Sequence, residues 1–284
     1  MIWINGKEVE VNHYPDNTQL LKIDINKLYF YEESATIRWR YENDEECMTL
    51  WYIVNHIKSH KNINFPINLS LMYIPNARMD RVKKDDEVFT LKYFAQFINS
   101  MNFNCVYVID PHSYVSEALF DRIYKKNLSF DYIWRWFEEK DNIDLENVML
   151  YFPDDGAYKR YKDIFTGDNI LYGKKNRDWD TGKILGLTVH DKNGNEVPNY
   201  SIENKTILMI DDIISYGGTL AYSTDKLHEL GAAHIYAYGT HTENSVLDEE
   251  KGTLIKRLEN GIVDRLFTTD SLYTGNHPKI TVIA

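Results

Sequence analysis

The chain has 284 residues, 43% of them hydrophobic and 26% charged, which suits about two α/β domains and excludes a disordered or fibrous polymer. Its 32 basic and 43 acidic side chains leave a net charge of −11 with no Lys/Arg-rich run, which excludes a general nucleic-acid surface. A basic pocket for one small phosphorylated ligand stays open, because net charge does not describe a cleft.

In chain order, Ile2 and Ile4 alternate with polar neighbours, Asn5-Gly6 tolerates positive φ, and Val9 and Val11 alternate again, which predicts a hairpin. Short strands are predicted over 20–25 and 36–39. Asn43 with Asp44, Glu45 and Glu46 marks a helix start, and Leu50, Ile53, Val54 and Ile57 give that helix one apolar face. Strands over 67–74, 105–109, 148–152, 184–189, 206–210, 234–238 and 262–267 then alternate with helices over 90–101, 132–138, 157–165 and 217–230. Residues 279–284 read as a last strand. The alternation predicts an α/β fold of mostly parallel sheets covered on both faces, with the apolar runs 106–109 and 207–210 as central strands. The stretch 124–144 is charged and lacks a sheet signal, which places a domain boundary near residue 128.

No apolar run approaches the ~20 residues that span a bilayer, and residues 1–7 lack the basic-then-apolar order of a signal peptide. Cys47 and Cys105 form neither a disulfide framework nor a metal spacing. The expectation is a cytoplasmic protein with no membrane or nucleic-acid partner and reduced, packed thiols.

The segment Asp211-Asp212-Ile213-Ile214-Ser215-Tyr216-Gly217-Gly218-Thr219 carries the most chemistry. A buried strand delivers two carboxylates at its C-terminal end, where open α/β sheets bind ligands. Glycines at a following helix start let backbone N–H groups approach a phosphate. The carboxylates suit sugar hydroxyls or a nearby Mg²⁺. The ligand implied is a sugar phosphate. Taken alone, the same residues also suit a helix cap and a turn.

This segment resembles the phosphoribosyl-diphosphate (PRPP) signature of type I phosphoribosyltransferases and ribose-phosphate pyrophosphokinases. Ser215-Tyr216 stands where the pyrophosphokinases usually have Asp-Thr. Four further segments resemble the pyrophosphokinases in particular. Tyr73-Ile74-Pro75-Asn76-Ala77-Arg78-Met79-Asp80-Arg81 is similar to their Tyr-Ala-Arg-Gln-Asp-Arg; by resemblance Arg78 and Met79 contact ATP, and two Arg three apart make a fork suited to polyphosphate. Asp110-Pro111-His112 matches Asp-Leu-His, which implies a role for His112, with Asp110, at the Mg²⁺ on ATP. Phe152-Pro153-Asp154-Asp155-Gly156-Ala157-Tyr158-Lys159-Arg160 resembles Ser-Pro-Asp-x-Gly-Gly-x-Lys-Arg, which makes Asp154 a second Mg²⁺-associated carboxylate. Lys175-Asn176-Arg177 keeps the Lys-x-Arg of a mobile loop that closes over the reacting phosphates. Tyr14-Pro15-Asp16-Asn17-Thr18 is a fifth, looser match to Phe-Pro-Asp-Gly-Glu, a loop that reaches the adenine of a neighbouring subunit.

The resemblance implies two phosphoribosyltransferase-like domains, 1–128 binding ATP and 129–284 binding ribose 5-phosphate, in a cytoplasmic homo-oligomer. It implies transfer of the diphosphoryl group of ATP to the anomeric hydroxyl of ribose 5-phosphate, with Mg²⁺, giving PRPP and AMP. Lys175, Arg177 and His112 would be catalytic. Asp211, Asp212, Ser215, Tyr216, Gly217, Gly218 and Thr219 would bind ribose 5-phosphate. Arg78, Met79, Asp16, Asn17 and Thr18 would bind ATP, and His112, Asp154 and Asp110 the metal. A phosphoribosyltransferase that consumes PRPP needs only the 211–219 segment, and a catalytically silent nucleotide-binding relative would suit Met79 and Tyr216; both readings stay open here.

Overall fold

Asn5 and Gly6 take left-handed backbone at φ 49° and 82°. That two-residue turn folds β1 (Ile2–Ile4) onto β2 (Lys7–Glu8), with Ile4 opposite Lys7. The structure is a computed structural model that describes residues 1–28, 34–126, 128–165, 167–177, 184–199 and 201–283. The chain falls into two compact units, Met1–Leu128 and Ser129–Ala284.

In the first unit, Val11 does not prolong β2. It opens a second hairpin, β3 (Val11–His13) with β4 (Gln19–Leu21), around the turn at 14–18. The predicted strand over 20–25 therefore stops at Leu21, and Ile25–Lys27 is a 3-10 turn capped by Asp24, which accepts from the Asn26 N–H. There follow β5 (Ala35–Trp39), α1 (Glu45–His60), β6 (Ile67–Leu71), α2 (Thr90–Ser100), β7 (Cys105–Ile109), α3 (Tyr114–Leu119) and β8 (Ile123–Lys126). The sheet order is β2-β1-β5-β6-β7-β8, parallel from β5 to β8.

Helix α1 starts where Asn43 accepts the Glu45 N–H at 3.0 Å. Its Leu50, Ile53, Val54 and Ile57 are buried with Leu91, Phe94 and Ile98 of α2 against Ile37, Trp39, Leu69, Leu71, Val106 and Val108. Each such side chain contributes about 1.5–3 kcal/mol by leaving water. The expectation of a sheet covered on both faces fails in this unit. Strands β5, β6 and β7 alternate buried residues with half-buried or exposed ones such as Thr36, Arg38, Ser70 and Tyr107, so the run 106–109 is one-sided. Strand β8 lies in the stretch that lacks a sheet signal, because it is a lysine-bearing strand that pairs, among the described residues, with β7 alone.

The second unit holds α4 (Asp131–Glu139), β9 (Val148–Phe152), α5 (Asp155–Tyr161), β10 (Ile170–Arg177), β11 (Ile184–Asp191), β12 (Thr206–Ile214), α6 (Gly218–Glu229), β13 (His234–Thr242), α7 (Thr253–Glu259), β14 (Arg265–Thr268) and β15 (Ile280–Val282). The order is β11-β10-β9-β12-β13-β14-β15, and every pair is parallel except β10 with β11. Here the two-sided expectation holds: Ile207, Leu208, Met209 and Ile210 are all wholly buried. Cys47 and Cys105 are free, and burial pushes the Cys47 thiol up to about 11, which suits packing and not reactivity. No helix among the described residues is long and apolar enough to cross a membrane.

Candidate functional site

The buried run of β12 holds the strand rigidly, and pairing with β13 continues past the carboxylates, with Asp211 opposite Gly239 and Ile214 opposite Thr242. The strand is thus longer than the predicted 206–210, and Asp211 and Asp212 lie within it. Successive strand residues project to opposite faces, which makes the two carboxylates unequal. Asp212 is 3% exposed, and its Oδ1 lies 2.6 Å from Arg160 Nη1 of α5. Asp211 stays part-exposed and accepts the Asp212 backbone N–H at 3.0 Å.

Burial pushes the Asp211 carboxyl well above the ordinary range, and the charges of Asp212 and Asp154 push it further. The sign for stability follows. The folded protein keeps a proton that the unfolded chain releases near pH 4, so this group's contribution is full below that pH and is lost as pH rises through the raised value. Asp211→Asn should therefore melt above wild type at pH 8, with the gap shrinking toward pH 4. Thermal unfolding across that range checks this, and a gap independent of pH would clear Asp211 of the effect.

Past β12, Gly217 sits at φ 79° and caps α6 with no side-chain hydrogen bond. The first N–H groups of α6 therefore have no capping side chain at Gly217, and a helix start of this kind suits an anion. The start of α7 braces the loop from behind: the Tyr216 carbonyl accepts both the Thr253 N–H (2.8 Å) and the Thr253 hydroxyl (2.9 Å). A Cβ on Gly217 would lie 2.2 Å from Leu254 Cβ. Gly217→Ala combines that clash with a left-handed backbone, and we expect a loss of about 2–5 kcal/mol in denaturant unfolding. A loss under 1 kcal/mol would show that the brace yields freely.

Asp154 ends the loop after β9 and caps α5, with Oδ1 accepting the Gly156 and Ala157 N–H groups at 3.0 Å each. Its Oδ2 lies 3.5 Å from Lys175 Nζ, and Lys175 also donates to Thr219 Oγ1 at 3.3 Å. The Lys175 side chain is only 8% exposed. Asp154, Lys175, Thr219, Asp211 and Asp212 thus gather at one end of the second sheet. Lys175 lies on a strand, opposite Leu187 of β11, and not on a loop as expected; ladder pairing outweighs the polar sequence. Arg177 ends that strand, and its side chain and Asp178 lie outside the described residues. Ser215 is half-buried, and Tyr216 is exposed with Lys251 Nζ 5.9 Å from its ring centre.

In the first unit the predicted residues occupy separate turns. Strand β6 stops short of the predicted 67–74, and Arg78 (exposed) and Met79 (half-buried) sit on a turn in which Asn76 takes φ 64°. Arg81 directs Nε and Nη2 at the two oxygens of Asp80, at 2.7 and 3.0 Å. That contact holds the Asp80 carboxyl below the usual range, with the Ser113 hydroxyl and the His112 charge helping. Asp110 is buried at φ 42° after β7, and His112 is half-buried beside the Ser113 cap of α3. Asp16-Asn17-Thr18 forms the exposed β3–β4 tip, where the Thr18 N–H and hydroxyl both donate to Asp16 Oδ1. One linking residue escaped the sequence reading: Arg160, visible in the Lys-Arg pair after Gly156.

The mostly parallel sheets and the carboxylate strand leading into a glycine-opened helix define an α/β protein of the phosphoribosyltransferase-like class. No family model matches the sequence. Ribose-phosphate pyrophosphokinase 2 of Enterococcus faecalis is 26% identical over 220 residues, 76% of this chain and 62% of that protein. Ribose-phosphate pyrophosphokinase of Bacillus subtilis is 27% identical over 242 residues, 84% of this chain and 69% of that protein. The crystal structure of phosphoribosylpyrophosphate synthetase from Mycobacterium smegmatis superposes with a TM-score of 0.69 at 17% identity, covering 97% of this chain and 85% of that one. The chain spans less than two-thirds of the length of the Enterococcus relative. It is related to the ribose-phosphate pyrophosphokinases and shares their fold.

Proposed function

We propose that the chain is a ribose-phosphate diphosphokinase, which transfers the diphosphoryl group of ATP to the anomeric hydroxyl of ribose 5-phosphate to give PRPP and AMP. The observation that carries this reading is the convergence of Asp154, Lys175 and Thr219 with the Asp211–Asp212 strand end beside the uncapped start of α6. Phosphoryl transfer asks the protein for positioning and charge neutralisation more than for covalent chemistry.

Asp211, the more open carboxylate, would hold ribose hydroxyls, and Asp212 would anchor the strand end through Arg160. Gly217, Gly218 and Thr219, with Ser215 and Tyr216, would cradle the 5-phosphate. Arg78, Met79 and the 16–18 tip would take ATP. Lys175 and Arg177 would face the reacting phosphates. Mg²⁺ would take Asp154 through Oδ2, the oxygen that the helix cap leaves and that Lys175 Nζ faces at 3.5 Å; in the first unit, His112 and Asp110 are donors of the right type. Among the described residues no group of three or more acidic, His or Cys side chains is gathered as a metal cage, and Mg²⁺ is commonly held by one or two carboxylates plus substrate phosphates and water. When bound it would offset charge on the triphosphate. A cytoplasmic homo-oligomer belongs to the same reading.

The test is one assay of ATP, Mg²⁺ and ribose 5-phosphate with the full chain, reading AMP and PRPP together. Equal amounts of both are expected. Pyrophosphate release from PRPP with a nucleobase, without AMP from ATP, would make it a phosphoribosyltransferase. ATP binding that never yields AMP would make it a silent relative.

A further inference from the structure

Ser215 precedes the glycine pair at the start of α6, and its hydroxyl lies 3.1 Å from the Ser245 hydroxyl. Ser245 donates to Glu243 Oε2, also at 3.1 Å. The segment carrying both residues follows β13 and is fixed to the end of β12, where the Glu243 N–H donates to the Ile214 carbonyl at 2.8 Å. Each serine has one hydroxyl proton, and a carboxylate only accepts. With the Ser245 proton spent on Glu243, Ser245 can only accept from Ser215. The Ser215 proton is therefore directed toward Ser245.

A phosphate monoester also only accepts. To bond one, Ser215 must turn its proton away from Ser245 and leave that oxygen without its donor. We propose that Glu243 and Ser245 are positioning residues that set the donor direction of Ser215 and so restrain the affinity of the α6 cradle for a sugar 5-phosphate. The proposal rests on reading that cradle as the 5-phosphate site. Its consequence runs against ordinary intuition: removing a hydrogen-bonding side chain next to the site should tighten binding.

Titration calorimetry with ribose 5-phosphate, on the full chain without ATP, tests this for wild type, Ser245→Ala, Ser215→Ala and the double variant. Ser245→Ala frees the Ser215 proton and should bind about three- to tenfold tighter, the worth of the neutral hydroxyl–hydroxyl bond that wild type must give up to reach the phosphate. Ser215→Ala should bind no tighter than wild type, and adding Ser245→Ala to it should change nothing further, since the gain passes through Ser215. A brace of purely structural kind would instead weaken binding on Ser245→Ala, and equal or weaker binding with an unchanged melting temperature overturns the relay. If Ser245→Ala does not fold, Glu243→Gln serves, because an amide can donate to Ser245 and reverse the relay, and it too should tighten binding; equal or weaker binding by that variant overturns the relay. No ribose 5-phosphate binding by wild type would defeat the site reading itself, whereas binding by wild type with no gain in the variants defeats only the relay.

Discussion

Replacing Arg160 by Met is expected to lower the unfolding free energy by about 3–5 kcal/mol, the usual cost of leaving one partner of a buried ion pair behind. Asp212 is 3% exposed and lies 2.6 Å from the guanidinium, so the carboxylate has no access to water once Arg160 is gone. Methionine keeps most of the side-chain volume, so a cavity contributes little and the loss reports the charge. For a unit of this size such a loss corresponds to a fall of roughly 10 °C in melting temperature. Arg160→Met combined with Asp212→Leu should recover most of it, since an apolar pair of similar volume can replace a buried ion pair at little net cost. Denaturant unfolding of wild type, single and double variants provides the measurement. If Arg160→Met unfolds within 1 kcal/mol of wild type, Asp212 is supported some other way and the inequality of the two carboxylates needs another cause.

That inequality also shows where sequence reading stops. The apolar run 207–210 announces a buried parallel strand, and the glycines after Tyr216 announce a helix start at a strand's carboxyl end; both patterns depend only on local chemistry. The sequence around Asp211 and Asp212 treats them as equivalent, because what separates them is Arg160, some 50 residues earlier, and a strand that continues two residues beyond the acids. The polar run 174–177 reads as a loop for a related reason. Its strand character comes from pairing with β11, and no residue in the run announces that partner. Strand β8 is missed because a half-exposed, lysine-bearing strand dilutes the apolar signal, and the run 106–109 misleads the other way, because Tyr107 and Ile109 are apolar residues on the half-exposed face. The Arg78–Arg81 spacing places two cations without saying what each one faces, and Asp80, next to Arg81 in the chain, takes two of its N–H groups.

Lys175→Ala is expected to cut turnover by roughly 10²–10³, the loss typical of removing one preorganised donor to a developing charge. Its place on β10 adds a second consequence. An ammonium 8% exposed and 3.3 Å from Thr219 Oγ1 lies within the first turn of α6, where the helix dipole disfavours a cation unless an anion joins it. Asp154 at 3.5 Å supplies part of that negative charge, and a bound phosphate would supply the rest. The Michaelis constant for ribose 5-phosphate should therefore rise, by about tenfold, alongside the fall in turnover. A lysine carried on a closing loop would have left it unchanged. Because Asp154 keeps the Gly156 and Ala157 N–H groups and is about half-exposed, the melting temperature should stay within 2–3 °C of wild type. Steady-state kinetics of AMP release, with ribose 5-phosphate and ATP varied in turn, separates the two effects. Wild-type turnover in the variant would remove Lys175 from the reacting site, and a loss of turnover at unchanged Michaelis constant would detach it from the α6 cradle.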